Sequence, residues 1–167
     1  MSEARQPNPQ VARLLDRLRK LDSGDRAQLK RCAGMTLSEA PQVMGLFFQV
    51  LPRGVASYNE ANYFLITTLF PLIDEGGRGN FGSALRQARP IEKPNDRKPL
   101  DRRVEILLDA DDAQLPFRLR QAVRLLKSKE IKVNWQSLAE DILSWTHPKR
   151  YVQQNWARAY FAPDSNE

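Results

Sequence analysis

Eight cations stand out by their type and spacing. In the run Leu21-Asp22-Ser23-Gly24-Asp25-Arg26-Ala27-Gln28-Leu29-Lys30-Arg31, Arg26 and Lys30 lie four residues apart on one helical face, with Arg31 beside them. Further on, Arg120, Arg124 and Lys127 point away from an apolar stripe centred near Leu126, and Arg102-Arg103 sit at the start of another helical segment. An arginine grips two phosphate oxygens at once through its planar fork, and a lysine adds a compact charge. Such contacts follow a nucleic-acid backbone whatever its bases, and they weaken steeply as salt rises. No zinc-finger, basic-zipper or aromatic-rich RNA-recognition pattern accompanies them, so base-specific reading is not indicated.

Patterns for catalysis are nearly absent. Glu140-Asp141 and Asp111-Asp112 are adjacent carboxylates, which on a helix do not face each other, so caps and surface charges account for them. Gly76-Gly77-Arg78-Gly79 lacks the Lys-Ser/Thr ending of a phosphate-binding P-loop. The single His147 cannot build a multi-histidine metal site, the single Cys32 cannot close an internal disulfide, and no cofactor is expected. Cys32 falls in an apolar-patterned helix, where a lone thiol serves packing. The three tryptophans recur at helical spacing and are expected in the core, not as platforms for stacked bases.

Composition agrees with this chemistry. Twenty-six Lys and Arg against 20 Asp and Glu leave a formal charge of +6, which favours polyanions, nucleic acid first and an anionic membrane second. The charge is also segregated: residues 78–103 carry eight cations against three acids and 118–132 six against one, whereas 35–75 carries one against four. A hydrophobic share of 41% with 28% charged residues is that of a folded, water-soluble protein. No apolar run approaches the ~20 residues that cross a bilayer. The polar start with Pro7 and Pro9 is expected to carry no secretory leader, and a reducing cytoplasm is the expected location.

Helices must hold these side chains in place. The first is predicted over 9–22, with Pro9 at its start, Val11, Leu14, Leu15, Leu18 and Leu21 on one face, and Gly24 taking a left-handed turn at its end. Asp22 or Ser23 caps the second, over 25–33, which Gly34 ends. Ser38-Glu39-Ala40-Pro41 opens a third, and Ser57 with Glu60 is spaced as a capping box for a fourth over 58–73. Asn80 caps a short helix carrying Phe81, Ala84 and Leu85. Three prolines within 89–99 mark a linker between an N-terminal helical lobe, 9–88, and a C-terminal bundle, 100–162. In that bundle a helix over 100–108 is followed by one capped by Asp111 or Asp112, one capped by Asn134, and a last one starting at Pro148. No hairpin signal appears, so the fold is expected to be all-α, with roughly eight or nine helices in two small bundles.

With these residues laid out, the chain resembles the CasB family, the small subunit of the type I-E CRISPR surveillance complex called Cascade, over roughly residues 11–161. The resemblance rests on Leu21-Asp22-x-Gly24 through Ala27-x-Leu29-Lys30-Arg31, on Phe81-Gly82-x-Ala84-Leu85, on Arg102-Arg103 with Leu107, and on Leu119 to Leu126 followed by Trp135, Leu138 and Trp145. It implies an all-helical, two-lobed, non-catalytic protein that sits as a pair of copies along the complex. Its implied partners are the repeated backbone subunits holding the CRISPR RNA, the large subunit, and the target DNA strands. It implies stabilisation of the opened target, with Lys30, Arg31, Arg102 and Arg103 as phosphate contacts, while a separate helicase-nuclease cuts. The proline-rich 89–99 stretch departs from the family pattern. On charge alone, the alternative is a helical scaffold or adaptor whose basic faces meet acidic protein surfaces.

Overall fold

Local chemistry starts most helices where the spacing predicts. The computed structural model of the chain describes residues 6–164. Helix α1 spans Pro9–Arg19; the Asn8 side chain accepts from the amides of Gln10 and Val11, and Val11, Leu14, Leu15 and Leu18 are buried along one face. Helix α2, Ser23–Arg31, is capped by Asp22, whose carboxylate accepts from the Asp25 amide at 2.8 Å. Gly24 therefore lies inside the first turn of α2 rather than in a left-handed turn. The corner is closed instead by the amides of Lys20 and Leu21 donating to the carbonyls of Arg17 and Leu18. The left-handed glycine comes later: Gly34, with φ of 84°, ends the α2 segment as expected.

The next stretch departs from the predicted starts. The capping box forms at Thr36 and Glu39, followed by two 3-10 turns, 37–39 and 41–43, before helix α3, Met44–Val50. Ser57 makes no side-chain cap; a 3-10 turn over 57–59 leads into helix α4, Glu60–Leu69, and another over 70–72 takes up Pro71. From Tyr63 to Leu69 every residue of α4 is buried, as befits a helix surrounded by others. Its Thr67 and Thr68 hydroxyls donate to the carbonyls of Tyr63 and Leu65, so neither polar atom is stranded.

The second half holds helices α5 (Phe81–Gln87), α6 (Lys98–Asp109), α7 (Leu115–Ser128), α8 (Trp135–Leu143) and α9 (Tyr151–Phe161). Asn80 and Asn134 cap α5 and α8 as predicted. Before α7, Asp111 and Gln114 exchange hydrogen bonds, each side chain accepting from the other's amide, and Gln114 becomes the cap position. Helix α9 begins three residues after Pro148 because Arg150 adopts a left-handed conformation, φ 49°. Among the described residues the only β contact is one parallel bridge, Glu75 to Val133, and no helix is long and apolar enough to cross a membrane. The fold is all-α, with nine α-helices among these residues.

Packing crosses the 89–99 stretch repeatedly. Helix α5 lies against α9, α1 and α4 both meet α8, and α4 and α5 also meet α7, so one buried cluster holds residues from both sides of that stretch. Gly82 makes the α5–α9 contact possible, since a Cβ there would run into the backbone of Trp156. The three tryptophans are buried, as expected, and each indole N–H is satisfied: Trp135 donates to the Ile73 carbonyl at 3.1 Å, Trp145 to that of Ala110 at 2.8 Å, and Trp156 to Asp141 at 2.7 Å. Glu140 accepts from the Asn8 amide at 2.6 Å and so ties the start of α1 to α8. The adjacent pair Glu140-Asp141 thus holds helices together.

Candidate nucleic-acid interface

The cations divide into those the fold uses and those it leaves outward. Arg26 belongs to the first group: its guanidinium turns back to the Arg19 carbonyl at 3.1 Å and lies 5.9 Å from the centre of the Phe70 ring. Lys127 reaches Asp74 at 3.4 Å. Arg120 is half-buried, with its Nε shut off from solvent and without a hydrogen-bond partner among the described residues. It packs on Gly34, where an added Cβ would lie 2.8 Å from Arg120 Cδ. The end of α2 is thereby set against α7, and the Lys30-Arg31 corner and Arg120 fall on neighbouring parts of the surface.

The fold also absorbs cations that the charge count alone treats as surface. Arg86 and Arg89 both donate to the Tyr160 carbonyl, and with Arg97 they surround Asp164 at 2.8, 3.3 and 3.5 Å. These three belong to the basic 78–103 segment, yet their work is to close the C-terminal end of α9. Arg19 forms a two-pronged pair with Glu75, at 2.8 and 2.9 Å, and Arg17 donates to the carbonyls of Val50 and Leu51 at the end of α3. The basic back of α1 is largely consumed this way.

Lys30, Arg31, Arg102, Arg103 and Arg124 remain exposed with no partner among the described residues. Lys30 and Arg31 occupy the last turn of α2, where a rigid helix end presents them together. Arg102 and Arg103 lie in the first half of α6, and Arg103 and Arg124 line a groove between α6 and α7. This arrangement can neutralise a polyanion by exposed charges, while Arg102 shares a shallow open pocket with Lys98 and the carboxylates of Asp101 and Glu105.

Cys32 and Tyr160 are among the titratable groups displaced from their ordinary values. Burial pushes the Cys32 thiol up, outweighing the Gln42 side chain at 3.3 Å and the neighbouring Arg31 charge, so Cys32 is a packed residue. Burial also pushes the Tyr160 phenol far up, reinforced by its 2.6 Å hydrogen bond to Asp101.

All-helical, with Lys30, Arg31, Arg102, Arg103 and Arg124 exposed on helix ends and faces, the described residues form a helical protein with a basic surface. The family model for the CRISPR-associated protein Cse2 matches residues 25–161, and the chain belongs to that family. A Cse2 protein of Thermus thermophilus is 31% identical over 161 residues, which cover 93% of this chain and 92% of the relative. The crystal structure of a Cse2-family protein from Thermus thermophilus superposes with a TM-score of 0.77 at 28% identity, covering 92% of this chain and 98% of that one. A chain in a CRISPR RNA-guided surveillance complex has the same fold, with a TM-score of 0.72 at 21% identity and 91% of each chain covered.

Proposed function

We propose that this chain is the small, non-catalytic subunit of a CRISPR RNA-guided surveillance complex of the Cascade type, where it holds the opened target DNA by its backbone in antiviral defence. The observation that carries this reading is the exposed Lys30-Arg31 pair at the end of α2, free of partners among the described residues, with Arg102 likewise exposed on α6. Family membership supports it, as does the presence of the same fold in a surveillance complex. Guide-RNA pairing reads the sequence, and the exchange of DNA duplex for RNA–DNA duplex is nearly balanced in energy. A few phosphate contacts worth about 1 kcal/mol each therefore decide how long the opened loop survives. Cutting falls to a separate helicase-nuclease. The partners in this role are the CRISPR RNA, both target strands, the repeated backbone subunits, the large subunit and a second copy of the chain.

The test is a complex rebuilt with Lys30→Glu, Arg31→Glu and Arg102→Glu together. Guide loading and assembly should be normal, while permanganate reactivity of the displaced strand should decay faster. A displaced strand that stays open as long as with the unmodified subunit overturns the role.

A further inference from the structure

A groove of about 400 Å³ runs between α6 and α7 and reaches Leu85 of α5. Its floor is apolar, made by Leu100, Val104, Leu107 and Leu125, and Ile106 stands along it 39% exposed. Arg103, Arg118 and Arg124 line the same groove, and no acidic residue does. Arg118 lies over the ring of Phe117, at 5.5 Å, while Arg103 and Arg124 have no partner among the described residues.

We propose that this groove docks an amphipathic helix of a protein partner, with its leucine-like residues on the apolar floor and its Asp or Glu residues on Arg103, Arg118 and Arg124. The proposal goes beyond backbone binding at Lys30, Arg31 and Arg102, and it assigns the exposed Arg103 and Arg124 to a protein partner instead of a polyanion. A phosphodiester backbone has no use for an apolar floor, and no aromatic ring lines the groove to stack an unpaired base. An apolar trough of this size suits the i, i+3, i+7 anchors of a helix laid into it. The three arginines then select the partner by charge, since carboxylates beside the anchors would form charge-assisted hydrogen bonds with them.

The test measures anisotropy of a labelled synthetic helix with Leu at i, i+3 and i+7 flanked by Glu, against a counterpart with Gln in place of Glu, both on the full-length protein. The acidic peptide should bind at least about tenfold more tightly. Ala122→Trp, which fills the groove, should abolish this binding and leave binding of an oligo-dT strand unchanged. Lys30→Ala with Arg31→Ala should instead weaken oligo-dT binding and leave peptide binding unchanged. Arg103→Glu with Arg124→Glu, on exposed positions, should weaken peptide binding about tenfold or more and keeps the test decisive if Ala122→Trp does not fold. Equal affinity for the two peptides, indifference to Arg103→Glu with Arg124→Glu, displacement of the peptide by oligo-dT, or a self-association that Ala122→Trp removes would each overturn the proposal.

Discussion

Changing Lys30 and Arg31 to Ala separates charge from fold because neither side chain has a partner among the described residues and both are exposed on the last turn of α2. Stability should stay within ~0.5 kcal/mol of the unmodified protein. Each lost contact to a single strand should lower the salt slope of log K by about 0.7, so both together lower it by about 1.4. Over a fourfold rise in salt, from 50 to 200 mM, the advantage of the unmodified protein should then shrink by about sevenfold. Arg26→Ala, in the same run, supplies the internal control. Its guanidinium closes the end of α1 and lies over Phe70, so its loss should cost about 1 kcal/mol and lower the melting temperature by about 2–4 °C without changing the slope. The assay is fluorescence anisotropy on a random single-stranded oligonucleotide at several salt concentrations, beside thermal melts by circular dichroism. An unchanged slope for the double variant, or a slope lost with Arg26 while stability holds, would refute the division of cations drawn from the fold.

Two further outcomes follow from the core. Gly82→Ala should lower the melting temperature by several degrees, corresponding to more than about 2 kcal/mol, because the new methyl meets the Trp156 backbone and neither helix can retreat without opening the α5–α9 contact; an unshifted melt would contradict that packing. The phenol of Tyr160 is held far above its ordinary value by burial and Asp101, so its neutral form stabilises the fold below the unfolded value of about 10 and that contribution is lost as alkaline pH carries it toward ionisation. Ultraviolet titration of the phenolate should therefore show Tyr160 ionising only as the helices melt, and Tyr160→Phe should flatten the alkaline loss of stability; early ionisation in the folded protein would reverse the assignment.

Features governed by neighbours in sequence were the legible ones. Asp22, Asn80 and Asn134 cap their helices because a side chain three residues from an amide is enough to start one. The buried tryptophans and the faces of α1 and α7 followed from apolar spacing alone. Where two local solutions competed, the outcome moved: Asp22 started α2 early and left Gly24 helical, and a 3-10 turn over 57–59 replaced the capping box expected at Ser57 and Glu60. What charge counting does not show is which cations the fold consumes. Arg86, Arg89 and Arg97 find Asp164 across dozens of residues, and Arg19 finds Glu75, pairings that no local period encodes. The α6–α7 groove has no sequence signature either, since its apolar floor residues carry the spacing of ordinary core positions.

The clasp of Arg86 and Arg89 on the end of α9 carries a consequence for how the protein is made. Helix α5 leaves the ribosome before α9, on which most of its packing depends, and α1, which also meets α3, gains its contact with α8 only late. Contacts between segments so distant along the chain slow folding, and the apolar faces of the early helices stay uncovered during synthesis. A chain cut short before Tyr151 would leave Phe81 without its Trp156 neighbour, so truncated products should be captured by chaperones or degraded before they accumulate beside the full-length chain.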